Sequence, residues 1–396
     1  MDLNFFIEML EIDSTSGRER EFAEFLAGKM AGPGRLVEKQ EVATMAKDCP
    51  EGCEVPVNLY IRWGDPKIVF CSHLDTVPPY IPPTVSGFCR PDGEIDTKIS
   101  GRGSCDAKGQ IFSMWEACLE LERRGCTDFG LLLLAGEETG SFGAKSFNAA
   151  VAPGKYGKDD RSPMPSRAVA PSDWVIIVGE PTDNHMTSAS KGTKSFEVTF
   201  KGEAFHSGYP QYGCSAVEMF GDFLNALRSI VFPKDEILGD TTWNIGKLVS
   251  DNPQNILSDR LSCRVYFRTT FESDEMVCNI MKNMAGPDAK LRFGRRRVQD
   301  GSDIVAKEVA PWQKSMSVKA FGGDTPTMYE TLEGFPVKPV AFGSDAPQLK
   351  CFERKILCGP GSILVAHRDE EHINKSDIET AISNYVRMYE MLVKEK

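Results

Sequence analysis

Lys67-Ile68-Val69-Phe70-Cys71-Ser72-His73-Leu74-Asp75-Thr76-Val77-Pro78 is the stretch around which the rest of the chain is organised. Its opening residues, Lys67 to Cys71, form a short apolar run of the buried-strand type. The strand then delivers a His and, two residues later, an Asp. In extended backbone, residues i and i+2 face the same way. One edge would therefore carry an imidazole and a carboxylate able to orient it. A metal-ligating His commonly gives its second ring N–H to such a group. A histidine merely packed at a strand end is the plainer alternative, and the downstream sequence has to decide between them.

The length of 396 residues suggests two domains, or one large domain with an insertion. With 41% hydrophobic and 26% charged residues the composition is that of a soluble globular protein. No apolar run reaches the roughly 18 residues of a membrane span, and Met1-Asp2-Leu3-Asn4 is acidic where a signal peptide would be basic. A net charge of −11 argues against nucleic acid as a partner. Arg295-Arg296-Arg297 reads as a solvated surface turn. The twelve cysteines follow no framework, and several, such as Cys71, Cys118 and Cys358, sit in apolar runs. They are expected to be small buried hydrophobes in a reducing, cytoplasmic setting. Histidines number only five (His73, His185, His206, His367 and His372), so any imidazole chemistry draws on that set.

Helices are expected over 2–12 and 18–30, with cap candidates at Ser14 to Ser16. Strands are expected at Asn58–Trp63 and Lys67–Cys71. Pro78 to Pro91 is proline-rich and reads as a loop leaving the His73 strand. In Ser100-Gly101-Arg102-Gly103-Ser104-Cys105-Asp106-Ala107-Lys108-Gly109 the glycines lack any nucleotide-loop spacing. They let the backbone approach something closely. Asp106 begins a long helix and on its own could be just an N-cap. Leu131 to Ala135 is a buried strand ending in Gly136-Glu137-Glu138, and Trp174 to Val178 is another, ending in Gly179-Glu180-Pro181. Paired carboxylates at the end of a buried strand are costly without a cation nearby. In open α/β sheets ligands bind at the carboxyl ends of the strands, where His73, Asp106, Glu138 and Glu180 can converge. Pro153 to Pro171 reads as a long surface loop. From Lys191 the strand–helix–strand–strand–helix order describes a small α+β sandwich inserted into the first domain. Strands at Lys338–Phe342 and Lys355–Cys358 are expected to return to the main sheet, before a closing helix over 375–393.

Together, His73-x-Asp75, Gly103 to Gly109 with Asp106, Glu137-Glu138, Gly179-Glu180-Pro181, His206-Ser207 and Gly359-Pro360-Gly361-Ser362…Ala366-His367 resemble the M20 metallopeptidases, in order and over nearly the whole chain. The resemblance implies an α/β, mixed-sheet, di-zinc aminopeptidase-like catalytic domain (1–190 and 295–396). It also implies an inserted ferredoxin-like α+β lid and dimerisation domain (191–294), and a homodimer formed through it. It implies two zinc ions, with cobalt as a substitute. Asp106 would bridge them, His73 and Glu180 would complete one site, and Glu138 and His367 the other. Asp75 would orient His73, Glu137 would be the general base and His206 would stabilise the oxyanion. Asn255 and Arg268 would hold the substrate, although a turn Asn and a strand-edge surface Arg are equally readable there. Ser344-Asp345 falls near the pocket. His185 and His372 match no motif and read as surface or structural.

The residue chemistry is compatible with those roles. Imidazole and carboxylate suit zinc, and adjacent residues in extended chain point apart, leaving Glu137 free when Glu138 ligates. The closing Gly-Pro-Gly-Ser…Ala-His looks most like acetylornithine deacetylase, implying removal of the acyl group from an N-acyl amino acid in arginine biosynthesis. The alternative on the same residues is a dipeptidase or carboxypeptidase. A non-catalytic binding protein is disfavoured because no ligand position and no base has been lost.

Overall fold

The computed structural model describes residues 1–394 apart from 46, 48, 152–173 and 285–315. The expected loop at Pro153–Pro171 and the Arg295–Arg297 cluster lie outside the described residues. The chain divides into two compact units. The first comprises Met1–Ser188, Met328–Val340 and Ser344–Lys396, and the second Ala189–Thr327 with Ala341–Gly343.

The chain opens with α1 (Leu3–Glu11), α2 (Arg20–Met30), β1 (Arg35–Glu41), β2 (Val57–Trp63) and β3 (Ile68–His73). A hairpin of β4 (Thr84–Cys89) and β5 (Ile95–Ser100) leads to α3 (Lys108–Arg123), β6 (Phe129–Leu134), α4 (Phe142–Val151), β7 (Val175–Val178) and β8 (Met186–Ser190). The second unit supplies β9 (Gly192–Lys201), α5 (Ala216–Arg228), β10 (Thr242–Val249), β11 (Arg260–Thr269), α6 (Asp274–Met284) and β12 (Met316–Gly322). The chain closes with β13 (Thr327–Met328), β14 (Val337–Val340), β15 (Arg354–Leu357), β16 (His372–Asn374) and α7 (Lys375–Lys394).

The main sheet has the order β1-β2-β6-β3-β7-β15. β6, β3, β7 and β15 run parallel, while β1 and β2 join antiparallel. The architecture is thus mixed α/β, as the motifs imply. Every residue of β3, β6 and β7 is buried, which is why these strands are continuous apolar runs rather than alternating ones. Phe70, Leu131, Leu133 and Ile177 pack in one cluster with Phe6 of α1, Phe112 of α3 and Tyr385 of α7. The Phe6 and Phe112 rings stack at 4.9 Å. Burial of each such side chain is worth about 1.5–3 kcal/mol. In register, Cys71 faces both Leu132 and Val178, so the carboxyl ends of β3, β6 and β7 finish side by side.

Two residues at the start of α3 tie this helix to its surroundings. Lys108 is 1% exposed. Its Nζ donates to the carbonyls of Met9 at 2.9 Å and Ile12 at 2.6 Å, closing the end of α1, and sits over the Phe22 ring. Burial pulls its ammonium down to about 7. Gly109 leaves no room for a side chain, since a Cβ there would lie 2.3 Å from the Ser104 carbonyl oxygen. Gly109→Ala is therefore expected to destabilise the protein by about 3 kcal/mol, read as a shift of the urea midpoint. A midpoint unchanged from wild type would contradict the packing described.

The second unit is a four-stranded antiparallel sheet, order β10-β11-β9-β12, with α5 and α6 packed against it. Chain order β-α-β-β-α-β with β9 and β11 in the centre is the ferredoxin-like arrangement. Its last strand, β12, lies beyond residue 294, where the sequence reading ends the insert; β12 pairs with β9 through Met316↔Phe200. Two further expectations need correction. The segment Pro78–Pro91 is not all loop, because Thr84–Cys89 forms β4 and pairs with β5. β4 is exposed along almost its whole length, so neither face carries a hydrophobic signal. Lys338–Phe342 does not rejoin the main sheet, since Val337–Val340 is β14 of a separate sheet with β8 and β13. Only β15 returns, pairing with β7.

Candidate metal centre

Strand ends and two loops bring the acidic and imidazole groups of the first unit together. His73 closes β3, Glu138 follows β6, and Glu180 follows β7. Asp106 comes from the loop between β5 and α3, and His367 from the loop before β16. The N-cap position of α3 is Ala107, with no side-chain cap. Asp106 is therefore not spent on capping, and its carboxylate is turned towards the histidines. Oδ1 lies 2.9 Å from His73 Nε2, and Oδ2 lies 3.2 Å from His367 Nε2. His367 Nε2 also lies 2.8 Å from Glu138 Oε1. Donor atoms of His73, Asp106 and Glu138 all fall within 4.8 Å of one another.

Electrostatics at this point is dominated by crowded acids. Burial raises the pKa of Glu180 well above the ordinary carboxylate value; His73 opposes the rise, while Asp106, Asp345 and Glu138 add to it. Desolvation also raises Glu137 well above its ordinary value, with Glu180, Asp345 and Glu138 contributing. Burial pushes Asp106 up, but hydrogen bonds from His367 and His73 win and hold it below its ordinary range. The hydrogen bonds to Asp106 and Glu138 push His367 up to about 10. Asp345 itself is 2% exposed, and its charge acts on both Glu137 and Glu180, which places it beside the acid cluster. Imidazole nitrogens together with crowded carboxylates that repel one another fit divalent zinc or a similar cation.

Asp75 sits differently from its expected place. His73 Nδ1 donates to the Asp75 backbone carbonyl at 2.9 Å, whereas the nearest Asp75 carboxylate oxygen is 3.6 Å away. The carboxylate instead accepts from the backbone N–H of Glu137 at 2.9 Å, from that of Glu138 at 3.2 Å, and from Ser16 Oγ at 2.8 Å. Asp75 thus holds the Glu137-Glu138 turn by its side chain and His73 by its main chain. Ser16, read from sequence as a cap candidate, has this other role, and Glu19 occupies the N-cap position of α2. Its partner lies 59 residues away, beyond any local pattern. Glu19 is fully buried and its carboxyl is pushed up to about 8, by burial first and by Asp75 second. Ser16→Ala is expected to cost about 1.5–3 kcal/mol, the range for a hydrogen bond to a charged group. Chemical denaturation measures it, and a loss below about 0.5 kcal/mol would show that Asp75 does not depend on the hydroxyl.

The remaining candidates lie in the second unit or away from the cluster. His206 is exposed, and its loop pairs with Asn255-Ile256 through the Ser207 N–H to the Asn255 carbonyl at 2.9 Å. His206 and Asn255 are thereby neighbours within that unit. Arg268 is half-buried in β11, over the ring of Tyr266. His185 and His372 each donate Nδ1 to the carbonyl two residues back, at 2.8 and 2.7 Å, as structural histidines do. Sequence reading also missed Arg102 and Glu371, a buried ion pair with a 2.5 Å contact. Five of the twelve cysteines are buried, among them Cys71, Cys118 and Cys358, whereas six are half-buried and Cys89 is exposed, so not all of them are the buried hydrophobes expected. Among the described residues no helix is long and apolar enough to cross a membrane.

The family model for peptidase family M20/M25/M40 matches residues 69–391. A probable carboxypeptidase of Aspergillus terreus is 32% identical, over 98% of this chain and 86% of its own. A tripeptidase of Staphylococcus aureus superposes with a TM-score of 0.70 at 18% identity, covering 99% of this chain and 98% of that one. A dinuclear metal-binding M20 peptidase of Bacillus subtilis superposes with a TM-score of 0.57 at 13% identity, covering 97% and 95%. At such identities the superpositions speak for a shared fold, while the family match extends over most of the chain and over every residue of the metal cluster. The chain belongs to peptidase family M20/M25/M40 and is a metal-dependent hydrolase of amide bonds.

Proposed function

We propose that this protein holds a pair of divalent ions, zinc or cobalt, and cleaves the amide bond next to a free carboxylate in dipeptides or short peptides, as a carboxypeptidase or dipeptidase. The observation that carries the reading is the Asp106 carboxylate, one oxygen facing His73 and the other His367. A carboxylate so divided suits two ions sharing it. His73 and Glu180 would complete one site, and Glu138 and His367 the other. When bound, such a pair polarises the amide carbonyl and acidifies water. Glu137 would act as general base and return the proton to the leaving amine. Asp75 fixes the backbone of Glu137 and Glu138, so the base and its neighbouring ligand are held by one anion. His206 would donate to the developing oxyanion. Asn255 would help hold the substrate, and the planar fork of Arg268 would receive its free carboxylate.

The curated relative reported above, a probable carboxypeptidase, favours a peptide substrate over N-acetylornithine. The deacetylase reading rests on the Gly359-Pro360-Gly361-Ser362 motif, and packing accounts for that motif. A Cβ at Gly359 would meet Gln110 Oε1 at 2.2 Å and the Glu180 carbonyl at 2.6 Å. At Gly361, with φ +75°, it would meet Cys105 Sγ at 2.6 Å. These glycines let the chain pass close to the metal ligands and say nothing of the acyl group. A homodimer through the second unit and a cytoplasmic location complete the proposal, the latter supported by buried thiols such as Cys71, Cys118 and Cys358.

Amine release by zinc- or cobalt-loaded protein tests the substrate. Dipeptides with a free carboxylate, including N-blocked ones, are expected to turn over, and their C-terminal amides are not. Turnover of N-acetylornithine alone would return the deacetylase reading. Exhaustive chelation is expected to abolish activity. Zinc at a hundredfold its Kd should then restore about 2.7 kcal/mol of stability, seen as a higher melting temperature. A melting temperature indifferent to zinc would contradict a metal held by these residues.

A further inference from the structure

His73, Glu138 and Glu180 are delivered by the ends of buried strands, but Asp106 and His367 lie on loops, and no strand positions them. We infer that the buried Arg102–Glu371 pair is the device that positions Asp106 and His367, and so sets how tightly the metal pair is held; the inference rests on the metal reading proposed above. Arg102 is 2% exposed and Glu371 1%. Glu371 Oε1 accepts from the backbone N–H groups of Cys105 at 3.1 Å and Asp106 at 3.0 Å. Its Oε2 accepts from Arg102 Nη1 at 2.5 Å. Arg102 in turn donates from Nε to the Pro79 carbonyl at 3.1 Å and from Nη1 to the Arg368 carbonyl at 3.2 Å. The main chain repeats the connection. The Arg102 N–H reaches the Ile81 carbonyl at 3.0 Å, and the Gly101 N–H reaches the Glu371 carbonyl at 3.1 Å.

Three segments are thereby pinned to one ion pair: the chain leaving β3 beyond His73, the loop carrying Asp106, and the loop carrying His367. The segments are far apart in sequence; Glu371 reaches Asp106 across 265 residues. Glu371 meets Asp106 at its backbone N–H and Arg102 acts through Glu371, so both are positioning residues. Partners of this kind typically alter metal affinity by about 10–100-fold when removed.

A buried ion pair is a poor source of stability, whereas removing one partner leaves an uncompensated buried charge. The informative variant therefore replaces both residues, Arg102→Met with Glu371→Met, which removes the clamp without orphaning a charge. Its metal-free melting temperature is expected to fall, because the Cys105 and Asp106 N–H groups and the Pro79 and Arg368 carbonyls lose their partners. Zinc affinity, measured by titration against a competing chelator, should fall by about 10–100-fold, and bound zinc at limiting supply should drop below two per chain. Glu371→Gln is the second variant. It keeps the size and a carbonyl acceptor for the Cys105 and Asp106 N–H groups but loses the ion pair. It should bind zinc more weakly than wild type and more tightly than the double variant.

A folded double variant with wild-type zinc affinity and stoichiometry would overturn the inference. If that variant does not fold, wild-type zinc binding by Glu371→Gln would overturn it. Absence of zinc binding by the wild-type protein would instead sink the metal reading itself, so the two failures are told apart.

Discussion

Glu137→Gln is expected to lower kcat by about 10²–10⁴-fold, the usual worth of a positioned general base, while zinc content and melting temperature stay at wild-type values. The substitution leaves the backbone N–H of Glu137 on Asp75 Oδ1 at 2.9 Å, so the turn carrying the side chain is undisturbed. Glu137 makes no hydrogen bond to His73, Asp106 or His367 of the kind that draws those groups together, which leaves its carboxylate available for proton transfer. Single-turnover assays with a dipeptide, alongside metal analysis, separate the base from the ligands. Activity within tenfold of wild type would end its assignment as base, and loss of metal would make it a ligand instead.

Asp106→Asn is expected to have the opposite signature. Both carboxylate oxygens face imidazole nitrogens. An amide keeps only one oxygen and presents an NH₂ group to the other histidine. The protein should lose the ability to hold two ions, and turnover should fall by about 10³-fold or more. That figure follows from the several kcal/mol that a metal contributes to stabilising transition-state charge, at 1.36 kcal/mol per tenfold. Metal analysis after dialysis is the readout that distinguishes it from Glu137→Gln. Two tightly bound zinc ions in the asparagine variant would remove Asp106 from the shared position.

The parts of the molecule readable from sequence are those in which burial leaves a local trace. β3, β6 and β7 are buried on both faces, and each is an apolar run closed by a His or Glu. Their parallel order brings those ends together, so the likeness to a metal hydrolase could be read before any coordinates. β4 left no trace because water lies on both its faces, and prolines at Pro83 and Pro91 bracket it. The two-residue spacing suggests that the Asp75 carboxylate lies against His73. Its actual partners are Ser16, Glu137 and Glu138, two of them reached across 62 and 63 residues. No periodicity encodes a contact of that range. The substrate is not legible in the sequence for a related reason. Gly359 and Gly361 are dictated by the close approach of Gln110, Glu180 and Cys105, so the motif reports packing common to many substrates.

The second unit has one more property, which concerns how the chain reaches its native state. Its first and last strands, β9 and β12, are antiparallel neighbours, with Ser195 opposite Gly322. Its entry and exit therefore stand about one strand spacing apart, roughly 5 Å. On the other side of the junction, β8 pairs with β13 and the Tyr329 N–H donates to the Ser188 carbonyl at 3.0 Å, so the first unit's own two ends are also joined. Closing a long flexible loop between Ser188 and Met328 would delay the pairing of β15 with β7. Once the four-stranded sheet has formed, the same connection acts kinetically as a tight turn. Early folding of the insert would thus convert the most distant strand pairing of the main sheet into a nearly local one.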